Sequence, residues 1–398
     1  MKRIVLHRVN LFLIFAVSTL AFGFIAAIIV LHQFKQADLP VATQQVQKPE
    51  ATSLPTITFA ALGDMLPHDS VVTQAKTQDG YNFAPYFVNI RPLYKDADIV
   101  FCNSETPVAG ESLGLGGYPT FNAPTEFARD LSGAAGCNLV NMANNHIYDK
   151  AQAGVDQSRQ VWENLGVTVS GANRNQIEQN TVSYVTKNGI TVAFVAFADF
   201  SNQQGYEPYS INLYHNALLV EKLMNEARSN ADVVVVSAHW GIEDSNVVSE
   251  DQTRTAHLLS DLGADVIIGT GPHVLQKVEN RKGKLGNSTL IWYSIGNMLN
   301  TQLAADQLTG VIAQFKVTKD GDNIQISDKK AQITYMSYEW LATDRAAENL
   351  SARKNIQLDS LRSAKDRISS MFAGESYASR LRYVERILGE DTNLAITP

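Results

Sequence analysis

The sequence is poor in positive charge and in cysteine, and each shortage limits what the chain can do. Among its 398 residues, 33 Lys and Arg face 40 Asp and Glu, which gives a formal net charge of -7 at pH 7. Nucleic-acid binding needs a concentrated excess of Lys and Arg to neutralise phosphates, so this composition argues against it. Only two cysteines are present, which limits the chain to a single internal disulfide. The 45% hydrophobic and 18% charged content is that of a globular protein.

One long uncharged run lies near the N-terminus. Residues 11–31 carry no charged side chain over 21 positions, and a helix of that length, at ~1.5 Å per residue, spans the ~30 Å hydrocarbon core of a bilayer. Lys2, Arg3 and Arg8 precede the run, so the positive-inside rule keeps the short tail in the cytoplasm. A cleaved secretory signal is the alternative, disfavoured because no small-x-small site closes the run. We expect a single-pass cell-membrane protein, held in the lipid bilayer by this helix, with its C-terminal domain extracytoplasmic.

Composition divides the chain into segments. A stretch rich in Gln, Ala, Thr and Pro follows the apolar run and has no apolar period, which predicts an extended linker. The last segment becomes charged, and apolar residues recur at helical spacing in 377–388, which predicts packing helices or a partner surface. The predicted segments are a cytoplasmic tail (1–9), a transmembrane anchor (10–32), a linker (33–55), a folded domain (56–330) and a C-terminal helical extension (331–398).

Short apolar, β-branched runs recur in the folded part, and helix-like stretches separate several of them. The runs are ITFAALGD, ADIVFCNSE, NLVNMANNH, ADVVVVSAHW and ADVIIGTGPH. This alternation predicts an α/β sheet in which parallel strands are buried on both faces. Asn188-Gly189 and Asp320-Gly321 stand between alternating runs elsewhere, which predicts antiparallel hairpins and therefore mixed sheets.

Polar residues come at the end of each apolar run. Because ligands of open α/β sheets bind at the carboxyl ends of the strands, five strands would bring these side chains to one place. The residues concerned are Asp64, Glu105, Asn144, Asn145, His146, His239 and His273.

Carboxylate, carboxamide and imidazole groups together are typical of a site for Mn, Fe or Zn. A mixed oxygen and nitrogen set without cysteine argues against a closed structural zinc site and favours an open metal site. One or two divalent ions there could clamp a phosphoryl group and generate hydroxide near neutral pH. In this interpretation Asn145 is a neutral metal ligand and the adjacent His146 protonates the leaving oxygen.

Seven short motifs in a fixed order resemble a known family. They are GDMLPHD, NSETP, YPTFNAP, ANNHIYD, AHWG, GPHVLQ and YSIGN. Over roughly residues 56–300 the chain resembles the bacterial poly-gamma-glutamate capsule synthesis proteins of the CapA/PgsA type, a branch of the calcineurin-like metallophosphoesterase superfamily. The resemblance implies a four-layer α/β/β/α sandwich with mixed sheets and a two-metal site at the strand ends. It also implies a membrane-anchored outer domain, an anionic polymer, and synthase or export subunits as partners.

Carried over position by position, the resemblance assigns roles to individual residues. Asp64 matches the first metal carboxylate and Glu105 the bridging carboxylate. Asn145 and His146 match the family's Asn-His pair, and His239 and His273 match later metal histidines. The chain departs from the pattern at Thr270 and Gly271, where relatives commonly have a second histidine, which puts tight binding of both metals in question. His68 could serve as a ligand instead, although its spacing differs from the usual Asp-x-His.

Four neighbouring residues have a structural interpretation as well as a functional one. Asp149 either orients His146 or caps a helix over 151–165, and the cap is favoured. Asn144 is expected to fix the loop backbone through Asx-type hydrogen bonds, and Trp240 is expected to wall the pocket. Asn297 either contacts the site or simply ends a strand.

The two cysteines are expected to be free thiols. Cys102 lies near the carboxyl end of its strand and Cys137 near the start of another. In neighbouring parallel strands they would be on the order of 15 Å apart at ~3.3 Å per residue, whereas a disulfide needs Cα atoms within ~7 Å.

The sequence is consistent with two functions. The first is a membrane-anchored accessory protein for making, exporting or tethering an extracellular polymer such as poly-gamma-glutamate. The second is a metal-dependent phosphoesterase acting on envelope material.

Overall fold

A computed structural model describes residues 54–389 and 393–398 of the chain. The predicted tail, anchor and linker up to residue 53 therefore lie outside the described residues. Within the described ranges, none of the helices combines the length and apolar character that a bilayer span requires.

The strands run through most of the described chain. They are β1 (Thr56–Met65), β2 (Lys76–Thr77), β3 (Gly80–Tyr81), β4 (Ile99–Ser104), β5 (Leu139–Asn141), β6 (Thr168–Ser170), β7 (Ser183–Lys187), β8 (Ile190–Ala198), β9 (Val233–His239), β10 (Val266–Thr270), β11 (Val278–Lys282), β12 (Ser288–Trp292), β13 (Asn297–Leu299), β14 (Thr309–Asp320), β15 (Asn323–Glu339), β16 (Lys354–Ser360) and β17 (Ala395–Thr397).

Helices alternate with many of these strands. They are α1 (Asp69–Ala75), α2 (Thr125–Asp130), α3 (Ala151–Asn164), α4 (Gln176–Gln179), α5 (Ala217–Asn230), α6 (Glu250–Asp261), α7 (Ala342–Ala346), α8 (Leu361–Met371) and α9 (Tyr377–Leu388). Short 3-10 turns lie at Ala84–Phe87, Arg91–Leu93, Glu111–Leu113 and Leu350–Ala352, and a π-helical turn at Leu131–Ala135 follows α2.

The strands form two large mixed sheets, as the sequence predicts. The first has the order β16-β15-β14-β1-β4-β5-β6, with β13 beside β1 and β17 beside β15, and the second has the order β11-β12-β10-β9-β8-β7. Strands β1, β4, β5 and β6 pair in parallel, as do β8, β9, β10 and β12. Strands β14, β15 and β16 are antiparallel, as are β7 and β11 with their neighbours.

Both predicted hairpins are present. Asn188 and Gly189 connect β7 to β8, and both have positive φ, as a type I′ turn requires. The second hairpin joins β14 to β15, but its turn residues are Gly321 and Asp322 because Asp320 still pairs with Asn323.

The two sheets face each other across one apolar core. Phe101 on β4 contacts Phe194 on β8, with ring centroids 6.0 Å apart. Along β9, Val233 and Val235 pack into this core, whereas Val234 and Val236 pack on the opposite face with α5 and α6. Successive residues of a strand point to opposite faces, so a strand buried on both sides needs the unbroken apolar run seen in the sequence.

The C-terminal part is not helical throughout. Residue 331, where the predicted extension begins, lies inside β15, and β16 and β17 add two further strands to the first sheet. Helix α8 packs against β15 and α9 packs against α8. Helix α9 spans the predicted stretch 377–388 and buries Tyr383, Val384 and Leu388.

The prediction of two free thiols is wrong, because Cys102 and Cys137 form a disulfide with their Cα atoms 5.9 Å apart. The expectation placed Cys137 in line with the next strand, but β5 begins only at Leu139 and Cys137 lies in the turn after the π-helical segment. Cys102 neighbours Phe101, so its side chain points away from the second sheet. The turn places Cys137 against that face of β4, and not farther along the strand direction as the sequence argument assumed.

Candidate metal centre

The predicted site residues lie together at the carboxyl ends of the strands. Asp64 is the next-to-last residue of β1, Glu105 directly follows β4, and His239 ends β9. Asn145 follows β5 by a short loop and His273 follows β10. All five are buried, with at most 5% of each residue exposed.

A bulge at Gly63 sets the position of Asp64. In the pairing of β1 with β4, Leu62 lies opposite Cys102 and Asp64 opposite Asn103, so Gly63 is the extra residue. A Cβ atom at residue 63 would lie 1.8 Å from the carbonyl oxygen of Gly296. Only glycine allows this close approach of the two backbones, and the Asp64 N–H donates to that carbonyl at 3.1 Å.

Both carboxylate oxygens of Asp64 are bonded by the protein. Oδ1 accepts from the Asn103 amide at 2.7 Å, and Oδ2 lies 3.1 Å from Nδ1 of His273 and accepts from the Gly271 N–H at 3.3 Å. These contacts hold the carboxylate in one orientation.

His239 lies between residues of both sheets. Its Nε2 is 3.0 Å from the Asn145 amide oxygen and 3.5 Å from Glu105 Oε1. Its Nδ1 is 3.0 Å from the Thr270 hydroxyl and 3.4 Å from the Asn103 amide nitrogen. Thr270 thus contacts a candidate ligand histidine.

Glu105 has no hydrogen-bond partner for either carboxylate oxygen, although it is completely buried. Oε1 lies 3.5 Å from His239 Nε2 and 3.7 Å from His273 Nε2. A buried carboxylate without partners is strongly unfavourable unless a cation neutralises it. Asp64, Glu105 and His239 each offer a ligand atom, and these atoms lie within 4.8 Å of one another. The donor set therefore fits a divalent metal ion.

The same crowding shifts the pKa values of the group. Burial and the Asp64 charge raise the pKa of Glu105 well above its usual value. Burial alone would raise the pKa of Asp64, but the hydrogen bond and charge of His273 lower it. Burial would lower the pKa of His273, but Glu105 and Asp64 raise it to about 10. Burial lowers the pKa of His239 to about 3, so His239 is a neutral imidazole, the form that binds metals.

His273 is held in an unusual backbone conformation. Its φ is +60°, which non-glycine residues rarely adopt. Asn297 contributes to holding it, since the Asn297 side-chain oxygen lies 3.0 Å from His273 Nδ1 while its amide donates to Gln302 and to the Gln307 carbonyl. Strain of this kind persists where the surroundings fix it, and it concentrates at functional sites.

His146 is positioned by Asp149. Its Nδ1 lies 2.7 Å from Asp149 Oδ2, which also accepts from the Phe121 N–H at 2.7 Å. The favoured interpretation of Asp149 as a helix cap is wrong, because Lys150 occupies the N-cap of α3 without a side-chain hydrogen bond. The carboxylate turns back to the imidazole instead. The Phe121 ring packs edge-on against His146 at 4.7 Å.

The remaining predicted residues divide between scaffold and core. Asn144 is structural, since its amide donates to the Ser104 carbonyl and its oxygen accepts from the His146 N–H. The Trp240 ring nitrogen donates to the Tyr293 carbonyl, and the ring packs in the core beside α5 and α6. His68 contacts the Leu66 carbonyl and the Thr301 N–H through Nδ1, and it stands outside the group of ligand atoms that meet.

Two residues that the sequence analysis did not single out support the site. Asn103 bridges Asp64 and His239, and Asn141 on the neighbouring strand donates to the Asn103 oxygen at 2.8 Å. Asn103 stands two positions before Glu105 in the NSETP motif, so an amide inside an apolar strand was the available signal.

A second group of potential ligands lies at the surface. Asp199, His215 and Asp251 bring ligand atoms within 4.8 Å of one another. Their carboxylates already have protein partners, because Asp199 pairs with His215 at 2.6 Å and Asp251 accepts from Tyr214 and Arg254. This group therefore lacks a buried carboxylate without hydrogen bonds, the feature that distinguishes the first group.

Comparison with known proteins agrees with the motif order. Residues 58–302 match the model of a family described as "Bacterial capsule synthesis protein PGA_cap". The chain is 28% identical over 267 residues to "PGA biosynthesis protein CapA" of Bacillus subtilis (strain 168), covering 63% of this chain and 64% of that protein. It is 29% identical over 247 residues to "Capsule biosynthesis protein CapA" of Bacillus anthracis, covering 60% of this chain and 59% of that one. The matched region spans about three-fifths of each relative.

Solved structures resemble the chain more distantly. A hypothetical protein from Thermus thermophilus matches with a TM-score of 0.42 and 14% identity, over 70% of this chain and 98% of that one. A 5'-nucleotidase from Candida albicans matches with a TM-score of 0.40 and 11% identity, over 84% of this chain and 60% of that one. Matches at this level say nothing about activity.

Proposed function

Because the chain belongs to the bacterial capsule synthesis protein family PGA_cap, we propose that it is a component of a capsule-polymer system, for poly-gamma-glutamate, with a divalent-metal hydrolytic site. The observation that carries the proposal is Glu105, a completely buried carboxylate without a hydrogen-bond partner, set among His239, His273 and Asp64. A capsule protein that served only as a scaffold would have no use for such an arrangement.

The metal would be held by Asp64, Glu105, Asn145, His239 and His273. The mixture of carboxylate, amide and imidazole donors suits Mn, Fe or Zn. A bound ion of this kind supplies Lewis acidity and lowers the pKa of a water molecule toward neutrality. The site could take one ion or two, since Thr270 and Gly271 replace a common histidine but the other donors are present.

His146 is the proton donor of the proposed reaction. Asp149 fixes the ring through Nδ1, which leaves Nε2 to protonate the leaving group, an amine nitrogen in poly-gamma-glutamate or an oxygen in a phosphoester. The Asn202 side chain lies 3.4 Å from both ring nitrogens, and its backbone N–H donates to the Asn145 carbonyl. These residues tie the proton donor to the loop that carries the candidate ligand Asn145.

The layer order supports a finer fold assignment as part of this proposal. Two facing mixed sheets, with α5 and α6 on the second sheet and α2, α3 and α8 packed with the first, suit a four-layer metallophosphoesterase-like sandwich. In that architecture the metal site lies at the carboxyl ends of the strands, where the candidate ligands are found.

In this proposal the protein lies at the outer face of the cell membrane, anchored by residues 10–32. The Cys102–Cys137 disulfide supports an extracytoplasmic location, because disulfides persist in oxidising compartments. The partners would be the lipid bilayer, an anionic polymer and subunits of its synthase or export machinery.

A second candidate function is a metal-dependent phosphoesterase acting on envelope material other than the capsule polymer. The His146–Asp149 pair favours it, because protonation of an alkoxide leaving group is the step that phosphoester cleavage needs. The two functions share the site and differ in substrate.

The test uses the full-length protein purified in detergent. We expect stoichiometric Mn or Zn after reconstitution, hydrolysis of poly-gamma-glutamate or of a generic phosphodiester, and loss of turnover in His146→Ala. His257→Ala, at a partly exposed histidine that pairs with Glu279, is the matched control and should retain activity. Absence of metal from the wild type would contradict the proposal, and turnover of phosphoesters alone would favour the second candidate.

A further inference from the structure

Arg353 is a buried guanidinium without a carboxylate partner among the described residues. Only 5% of it is exposed. Nε donates to the Leu350 carbonyl at 2.6 Å and Nη1 donates to the Thr301 carbonyl, whereas no Asp or Glu of the described ranges lies within ion-pair distance. Tyr338 and Trp340 cover the group, with its Cζ 5.6 and 5.8 Å from their ring centroids.

Another arginine of the same fold shows the ordinary arrangement. Arg380 is 6% exposed and pairs with both Asp306 and Glu375. Buried charges are normally paired because desolvation of a lone charge is costly. Arg353 instead lies against neutral carbonyl groups and aromatic rings. No carboxylate of the described residues pairs with its charge, so the guanidinium can still bind an anion.

Contacts through Thr301, His68 and Phe121 connect Arg353 to His146 of the candidate site. The Thr301 carbonyl accepts from Arg353, and the Thr301 N–H donates to Nδ1 of His68 at 3.4 Å. The His68 ring packs edge-on against Phe121 at 5.5 Å, and Phe121 packs against His146 at 4.7 Å. After burial, the Arg353 charge is the next largest cause that lowers the pKa of His68, to about 3. A short series of contacts therefore connects Arg353 to the proposed proton donor.

A polar cavity opens beside Arg353. It has a volume of about 450 Å³, and Arg353 and Lys354 are the charged residues of its lining, which otherwise consists of neutral side chains such as Ser70, Gln74 and Asn355. The nearby Asp69 carboxylate interacts with Arg353 only at a distance and forms no ion pair with it. This lining is positive on a chain with a net charge of -7.

We infer that Arg353 and Lys354 form an oxyanion subsite that binds a carboxylate of the polymer in the cavity that they line. The guanidinium fork suits bidentate contact with a planar carboxylate. The inference rests on the proposed function and deepens it by naming the group that positions the substrate. Residues 353 and 354 lie beyond the family match of 58–302, so this subsite belongs to the C-terminal part of this chain.

The experiment measures binding of poly-gamma-glutamate to the full-length protein in detergent, at low and high chloride concentration. Arg353→Gln is expected to weaken binding at least tenfold, and Lys354→Gln about threefold. Both variants should retain metal content and turnover of a small phosphodiester, because neither residue is a candidate ligand. Lys365→Gln, an exposed residue of α8, removes the same charge and should bind the polymer as the wild type does.

The outcomes separate the inference from the proposed function. Wild-type polymer affinity in Lys354→Gln, or in a folded Arg353→Gln, would overturn the subsite, whatever the metal content. A wild type without metal whose polymer binding still depends on Arg353 would refute the hydrolytic site and leave the subsite standing. Because Lys354 is exposed, its variant should fold even if Arg353→Gln does not.

Discussion

Breaking the Cys102–Cys137 disulfide is expected to lower the free energy of unfolding by about 4 kcal/mol. The two cysteines are 35 residues apart in sequence, and the chain-entropy relation for a loop of that length gives a value between those of a 15-residue loop (about 3 kcal/mol) and a 100-residue loop (about 4.7 kcal/mol). Because a typical domain has only about 5–15 kcal/mol of stability, the loss would be a large share of the total.

The assay compares oxidised and reduced wild-type protein, which have the same composition. Thiol titration of the untreated protein in guanidinium should detect no free cysteine, and two after reduction. Urea unfolding should then shift to a lower midpoint in the reduced protein. The double variant Cys102→Ala/Cys137→Ala is the control, since its unfolding should not respond to reductant.

Two results would refute this reasoning. Two reactive thiols in the unreduced, denatured protein would mean that the disulfide is absent, as the sequence alone suggested. A disulfide whose reduction leaves the urea midpoint unchanged would mean that the covalent link does not restrict the unfolded chain as the loop argument requires.

Three further predictions concern the site and the surface. Gly63→Ala should abolish soluble folding or lower the melting temperature steeply, because its Cβ would meet a carbonyl oxygen at 1.8 Å, whereas Gly133→Ala, with nothing within 4 Å, should fold normally. Glu105→Gln should bind Mn or Zn at least tenfold more weakly in equilibrium dialysis, yet melt no earlier than wild type in chelator, because a neutral amide replaces a buried carboxylate that has no hydrogen bond. Burial alone would raise the pKa of Glu178, but hydrogen bonds from Arg174 lower it, so their ion pair stabilises the fold above about pH 4.3 and is lost as the pH falls through the lowered pKa. Arg174→Gln should therefore be less stable than wild type at pH 7 and equally stable near pH 2, measured by urea unfolding; an equal difference at both pH values would contradict this.

Much of the fold could be predicted because it is encoded locally. The unbroken apolar run of β9 predicts a strand buried on both faces, and the structure places Val233 and Val234 in different cores. Asn188-Gly189 predicts its hairpin because few other residue pairs adopt positive φ twice in succession. The polar residues after these runs could be named from position alone, since parallel strands end at a common edge.

Distance and orientation between separate elements could not be predicted in the same way. The position of Asp149 just before the helix predicted over 151–165 favours a helix cap, and only the fold shows that its carboxylate turns back to the imidazole. The role of Asn103 could not be predicted, because an amide within a strand does not indicate a site until its contacts with Asp64 and His239 are known.

The sequence by itself determined which segments are strands and which polar groups end them, because side-chain periodicity and turn chemistry act between near neighbours. Only the tertiary structure decided that Cys137 reaches Cys102, that a bulge at Gly63 aims Asp64, and that Arg353 is buried without an acid among the described residues. Each of these depends on how layers and strand registers meet across long stretches of chain, and the free energy that selects them comes from packing the whole core.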